Sequence, residues 1–514
     1  MSRSLRRIRI LALALLCAYN MSACAPHLFR PASSPSQTAE NLIDSKGSKA
    51  QLAQQIDQIL AAPEAQGSTI SLLVRNGEET IYSRGVDARH VAASNLKLLT
   101  AAAALNELGE DYRFRTEVLI DGKVRHGVLI GNLYLRGSGD PTIDANGYAK
   151  LAEQVRAIGI EKIRGALVFD DTWFEATQLN PSWEIGDEPS HDAAPISALT
   201  MAVNDEYQIS SVELNIDPGS GPGAPALVTV RPTRATLELT NRTTTLSKGS
   251  NAIAVNREHG TNRILVSGGV ASRVNYYLAV PDSTAYVAAW FRQMLKLAGV
   301  KHVGVVQTGI HTPTDARLVA GQTSMPLRQL LVYTMKLSNN AQAEVLIKSL
   351  GAEKTGTGSW AAGCQAVAKF LDTNGIDSKA MVQVDGSGLS RHNFVEVRTI
   401  TQLLSLARNK PWFQSFFDAL PIAGDPEKFV GGTLSARMQG TPAVGNLRAK
   451  TGTLSGVSGL SGYVTSRDGK SLIFSILSDN FLVPPKQFNS EVTDKIAIAL
   501  ASWCSVDDCT TPAP

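Results

Sequence analysis

The chain has 514 residues, 43% hydrophobic and 18% charged, with a formal net charge of +3. That composition is ordinary for a folded protein, and the length suggests about two to four domains. The charge is spread without a basic tract, which argues against nucleic-acid binding, and nothing after residue 30 approaches the roughly 18 apolar residues of a membrane span.

At the N-terminus, Arg3, Arg6, Arg7 and Arg9 precede the apolar stretch Ile10–Ala18 and then small and polar residues. A basic start, a short apolar middle and a processing site make an export signal. Met21-Ser22-Ala23-Cys24 resembles a bacterial lipobox, which implies that Cys24 is lipidated and tethers the mature protein to a membrane without spanning it. Simple cleavage to a soluble periplasmic protein is the alternative, although Pro26 would then stand first after a cut behind Ala25. Residues 25–48 are polar and rich in Ser and Pro, as a flexible tether would be. Outside the leader stand three cysteines. In an oxidising compartment Cys504 and Cys509 suit a small disulfide, leaving Cys364 as a buried free thiol. No zinc-ligand spacing occurs, so neither a metal site nor a cofactor is expected.

A helix over residues 49–62 leads into strands at 69–75 and 79–83, joined by Asn76-Gly77, a strong hairpin signal. An Ala- and Leu-rich helix follows over 93–108. Residues 113–136 alternate as strands do, 148–158 read as a helix, and 163–170 as a strand. From 205 to 278 short strands and turns dominate; 283–298 form an amphipathic helix. Long helices return after 318, strands occupy 455–480, and a last helix covers 490–503. This order describes one α/β domain, residues 49–112 and 319–514, split by an inserted α/β domain at 113–204 and 279–318. A β-rich domain, 205–278, is nested within the insertion.

Three short elements carry chemistry. Ser94-Asn95-Leu96-Lys97 places a hydroxyl and an amine on one helical face, and a desolvated lysine can act as base toward such a hydroxyl. Ser338-Asn339-Asn340 offers a proton-shuttling hydroxyl and an amide at the start of a helical run, where a plain helix cap is the competing role. Lys450-Thr451-Gly452-Thr453, on an edge strand, could bind a carboxylate, with Gly452 admitting a substrate backbone. Two decoys exist. Ser478-Asp479-Asn480 ends a strand after the third element, and Lys354-Thr355-Gly356-Thr357 lies between helices only 14 residues after Asn340.

In this order, the three elements resemble the class C low-molecular-mass penicillin-binding proteins, the D-Ala-D-Ala carboxypeptidase/DD-endopeptidase family of the penicillin-binding protein 4 type. The resemblance covers about residues 50–500. The 244 positions from Ser94 to Ser338 match that family's long insertion and argue against a class A β-lactamase. Supporting segments are Gly131-Asn132-Leu133-Tyr134, Gly139-Asp140-Pro141-Thr142, Asp171-Thr172 and Asp385-Gly386-Ser387-Gly388-Leu389-Ser390-Arg391; Ala92 departs from the family's usual Pro.

The resemblance implies a penicillin-recognising serine transpeptidase/β-lactamase-like fold, an antiparallel sheet flanked by helices, with two further β-rich domains inserted. It implies a serine DD-peptidase acting on peptidoglycan stem peptides and bound covalently by β-lactam antibiotics, located in the periplasm or tethered to the outer membrane by Cys24. Ser94 would be the nucleophile, Lys97 its base, and Ser338 and Asn340 the relay. Lys450 and Thr451 would hold the terminal carboxylate, and the Thr453 and Ser94 N–H groups the oxyanion. Ser387, Gly388, Leu389 and Arg391 would wall the cleft, Leu389 and Arg391 against the diaminopimelate side chain, and Asp171 would meet the substrate's amino end. A β-lactamase or esterase on the same fold and a non-catalytic cell-wall binding lipoprotein are the alternatives. The oligomeric state, a dimer included, stays open.

Overall fold

Alternation along one strand builds the centre of the molecule. In Ser471–Asp479, Leu472, Phe474 and Ile476 point to one face of the sheet, with Leu72, Val74, Leu460 and Val464 beside them. Ile473 and Leu477 point to the other face, with Leu73 and Tyr463. Both faces are buried, which strands of period two achieve only when helices cover each side. The helices Lys49–Leu60 and Asp494–Ser502 cover the first face, and the second packs toward the Ala-rich helix Lys97–Glu107 and its helical neighbours.

The computed structural model describes residues 48–232 and 236–505. The leader with Cys24, nearly all of the tether and Cys509 lie outside the described residues, so the lipobox and the Cys504–Cys509 pairing do too. Cys364 is a free thiol, partly rather than wholly buried.

The central sheet is antiparallel, in the order Glu79–Arg84, Thr69–Asn76, Ser471–Asp479, Val457–Thr465, Arg448–Leu454. The N-terminal hairpin, turning at Gly77 with φ +57°, therefore pairs with a strand some 400 positions later. Arg448–Leu454 is the last strand of this sheet; its first residue bridges to Ile422, and the rest of its outer edge is left to a cleft.

The insertion is built on a mixed sheet ordered Val306–Thr308, Leu167–Asp170, Leu133–Gly137, Arg115–Ile120, Arg317–Thr323. The helices Ala145–Ala157 and Ser283–Leu297 pack on each other within it. Two three-stranded sheets, one of Ser211–Asp217, Leu227–Arg231 and Val274–Ala279 and the other of Glu238–Thr245, Ala252–Arg257 and Arg263–Val270, make up the nested stretch. Their buried side chains, Leu214 and Val266 among them, continue the core of the insertion without a break. Among the described residues no helix is long and apolar enough to cross a membrane.

Candidate active site

Ser94 sits in a short 3₁₀ turn, Ala93–Leu96, that runs straight into the helix Lys97–Glu107. The three-residue spacing puts Lys97 Nζ 2.9 Å from Ser94 Oγ. The same ammonium donates to Asn340 Oδ1 at 2.7 Å and to the Ser387 carbonyl at 2.8 Å. All three of its donors are thus directed. Lys97 is wholly buried, and burial pushes its pKa down to about 8 against the pull of Glu344, Asp385 and Asp192.

Asn340 opens the helix Asn340–Thr355, whose cap is Asn339; its side chain accepts from Gln342 N. Ser338 is therefore not the cap. It holds a left-handed φ of +58°, unusual for a residue with a side chain, and its hydroxyl accepts from Lys450 Nζ at 2.8 Å. Lys450 also donates to the Thr451 carbonyl at 2.9 Å, and Thr451 Oγ1 donates to Thr433 Oγ1 at 2.8 Å. Burial, and the neighbouring charge of Lys97, hold Lys450 well below the ordinary lysine pKa.

The edge strand meets the serine turn through its glycine. A Cβ on Gly452 would stand 2.6 Å from Asn95 Nδ2, and one on Gly459 2.2 Å from the same atom. Gly452 is thus required on its inner side, to seat Asn95, whatever approaches from the cleft. Ser94, Ser338, Asn340, Gly388, Leu389, Thr451 and Thr453 border one cavity of about 670 Å³.

Behind the cleft a buried pair of carboxyl groups fixes the loop that contributes Ser387. Glu344 accepts from Ser387 N at 2.7 Å, Gly386 N at 3.0 Å and Trp360 Nε1 at 2.7 Å. Asp385 accepts from Gly388 N at 2.8 Å, Ser390 N at 2.7 Å and Trp183 Nε1 at 3.1 Å. Burial raises both pKa values, Glu344 to about 7 with Asp385 beside it. The backbone N–H groups they collect aim the Ser387 carbonyl at Lys97.

The insertion supplies part of the wall. Asn180 Nδ2 donates to the Val384 carbonyl at 2.8 Å, and Asn340 Nδ2 to the Asp192 carbonyl at 3.1 Å; Asp192 itself borders the cavity. Arg391 stands outside the cavity's border, between Glu184 at 3.0 Å and the Ser455 carbonyl at 3.0 Å. Asp171 also stands apart, its carboxylate accepting from Thr284 Oγ1 at 2.5 Å. Of the decoys, Lys354 pairs with Glu107 at 2.7 Å, and Asp479, at the end of its strand, accepts from His90.

Sequence reasoning missed Glu344, Asp192, Trp183 and Thr433. Glu344 had a signal, since it follows Asn340 by four positions and so shares its helical face. The others lie in segments whose approach to the cleft depends on the tertiary fold.

Chemically, a hydroxyl bonded to a desolvated amine is a nucleophile and base pair, and a second buried amine beside a threonine hydroxyl is a seat for a carboxylate. Known proteins resemble the chain over most of its length. Residues 52–503 match the model of the D-Ala-D-Ala carboxypeptidase 3 (S13) family. A D-alanyl-D-alanine carboxypeptidase of Actinomadura sp. is 40% identical over 473 residues, 90% of this chain and 87% of the relative. The D-alanyl-D-alanine carboxypeptidase DacB of Haemophilus influenzae is 29% identical over 426 residues, 80% of this chain and 85% of the relative. The crystal structure of penicillin binding protein 4 from Haemophilus influenzae superposes with a TM-score of 0.74 at 26% identity, covering 86% of this chain and 97% of that one. With a serine and a buried lysine in contact at the head of one helix and a match running from end to end of the folded chain, the protein belongs to the D-Ala-D-Ala carboxypeptidase 3 (S13) family and is a serine-type DD-peptidase.

Proposed function

We propose that Ser94 is the nucleophile and Lys97 the base of this DD-peptidase. The observation that carries the reading is the buried Lys97 ammonium, shared between Ser94 Oγ and Asn340 Oδ1. Ser94 Oγ attacks the carbonyl of the penultimate D-Ala and gives its proton to Lys97. Ser338 passes that proton to the departing amine while Asn340 holds Lys97 in place through its Oδ1, and water then hydrolyses the acyl-enzyme. Lys450 and Thr451 hold the carboxylate beside the scissile amide, while the N–H groups of Ser94 and Thr453 receive the oxyanion. Gly388 and Leu389 line the acyl side of the cleft, and Arg391 braces that wall. Asp171, engaged by Thr284, has no part in this mechanism.

Both a free stem peptide and a D-Ala–diaminopimelate cross-link present a carboxylate next to the scissile amide, so either fits. A β-lactam would acylate the same serine; a second Haemophilus influenzae penicillin binding protein 4 structure, 26% identical with a TM-score of 0.69, contains a novel β-lactam. The leader sequence supports a periplasmic location, with Cys24 as a lipid tether.

Intact-mass spectrometry of the leader-free protein with benzylpenicillin tests the assignment. A long-lived adduct on wild type and none on Ser94→Ala is expected. Labelling of Ser94→Ala would overturn the nucleophile, and drug consumption without a lasting adduct would make the protein a β-lactamase.

Gly388 gives an independent test of the cleft. It holds φ +83°, and a Cβ there would stand 1.8 Å from the Ala93 carbonyl, directly before the serine. Gly388→Ala is expected to slow acylation about 10²-fold, the scale of a 1 Å misplacement of a reacting group, and to lower Tm. An unchanged acylation rate would mean that the loop does not position Ser94.

A further inference from the structure

The carboxylate of Asp385 accepts four hydrogen bonds, as many as its lone pairs allow. Three come from Gly388 N, Ser390 N and, at 2.9 Å, Asn393 Nδ2. Those donors move with the loop they brace. Among the described residues only the fourth donor, Trp183 Nε1, comes from another part of the chain, and that part is the insertion.

Trp183 is itself held. Its ring meets Trp360 edge to face, with centroids 5.9 Å apart and planes at 74°. The buried Lys348 ammonium lies over the Trp360 ring at 3.6 Å and donates to the Thr177 carbonyl, again in the insertion, at 2.7 Å. Two further contacts run the same way. Asn180 Nδ2 holds the Val384 carbonyl, one residue before Asp385, and the Asp192 carbonyl receives Asn340 Nδ2. A carbonyl can only accept, so Asp192 fixes which end of the Asn340 amide faces Lys97.

The Ser387 carbonyl, two residues after Asp385, accepts from Lys97 Nζ. Freedom in this loop therefore becomes freedom in the direction of the amine and of its bond to Ser94. We propose that Trp183 is a positioning residue for acylation: by holding Asp385 it fixes the Ser387 carbonyl and so the Lys97 amine. The insertion is then a working part of the active site. This rests on the reading of Ser94 as nucleophile and Lys97 as base.

The charges around the network give the proposal a sign. Lys97 faces the carboxyl groups of Glu344, Asp385 and Asp192 and the amine of Lys450. Lys348, with Glu175, and Cys364 lie near the two buried carboxyls. The indole N–H favours the ionised form of Asp385. Trp183→Phe keeps an aromatic ring and removes that donor. Asp385 then keeps its proton to higher pH, and Lys97 loses a negative neighbour that supports its ammonium. The neutral amine is populated at lower pH, so the inflection of the acylation rate moves down. Mere loosening would act in the opposite direction, because water admitted to Lys97 relieves the desolvation that depresses its pKa.

Stopped-flow acylation of the full mature protein by benzylpenicillin, followed across pH and drug concentration, separates the first-order step from drug binding. In Trp183→Phe the plateau rate of that step should fall about tenfold or more, as a slightly misplaced reacting group requires. Its inflection should lie below that of wild type, and the drug's dissociation constant should stay within about twofold. Trp290→Phe removes an indole donor elsewhere in the insertion, where it meets the Ala145 carbonyl, and should behave as wild type. An unchanged rate and inflection in Trp183→Phe, an inflection moved upward, or an equal loss in Trp290→Phe would overturn the proposal. Should Trp183→Phe fail to fold, Asn180→Ala decides: it frees the Val384 carbonyl and should lower the same rate, and a wild-type rate there would refute the role of the insertion. A flat pH profile in wild type would instead refute Lys97 as base, and the role of Trp183 would fall with it.

Discussion

Lys97→Ala is expected to slow acylation of Ser94 by benzylpenicillin about 10²- to 10⁴-fold, the range over which a positioned general base contributes. The companion result is a pH profile. The base is the neutral amine, which is populated above its pKa, and burial brings that pKa down to about 8. The wild-type rate should therefore rise roughly tenfold per pH unit well below 8 and level off above it. The sign follows from which form acts: a lysine needed as a cation would give a rate falling with pH over the same window. Stopped-flow acylation from pH 5.5 to 9.5 measures it. A flat profile, or a Lys97→Ala variant that reacts at the wild-type rate, would remove Lys97 from the role of base.

Many of the candidate site's contacts were legible because they are carried by short spacings on regular elements. Ser94 and Lys97 touch because three residues make nearly one helical turn, and they do so at 2.9 Å. The rejection of Lys354 and Ser478 also followed from local order, the first read as lying between two helices and the second as ending a strand; the structure puts Lys354 in the last turn of the helix Asn340–Thr355 and Ser478 near the end of its strand. What stayed hidden depends on backbone geometry and on distant segments. The helix cap that competed with a chemical role for Ser338 is Asn339, and the φ of +58° at Ser338 leaves its hydroxyl for Lys450. Gly452 reads as room for a substrate, yet its inner side is shaped by Asn95, and nothing local announces that contact. Trp183 and Asp192 come from the middle of the insertion and reach the cleft only through the way it folds back, which no periodicity encodes. In the nested stretch the short strands were visible, whereas their sharing one core with the rest of the insertion was not, because alternation tells which face is buried and not against what.

The two Lys-Thr-Gly copies give the other large effect, and their environments decide between them. Lys450 is wholly buried, bonded to Ser338 and the Thr451 carbonyl, and desolvation together with Lys97 disfavours its charge. An incoming carboxylate supplies the missing counter-charge, so the pair forms in a desolvated place where its loss is expensive. Removing one partner of such a pair costs about 3–5 kcal/mol, which is about 10²- to 5 × 10³-fold in rate. Lys450→Ala should lower kcat/KM for D-Ala release by that factor. Lys354, 41% exposed in its side chain and paired with Glu107 across 2.7 Å, makes a surface ion pair worth at most about 1 kcal/mol. Lys354→Ala should leave kcat/KM within about twofold, since that pair is far too weak to reach the chemistry. Steady-state release of D-Ala from a pentapeptide stem distinguishes them directly. A severe defect in Lys354→Ala with near-normal turnover in Lys450→Ala would place the carboxylate seat on the wrong strand and dismantle the cleft assignment with it.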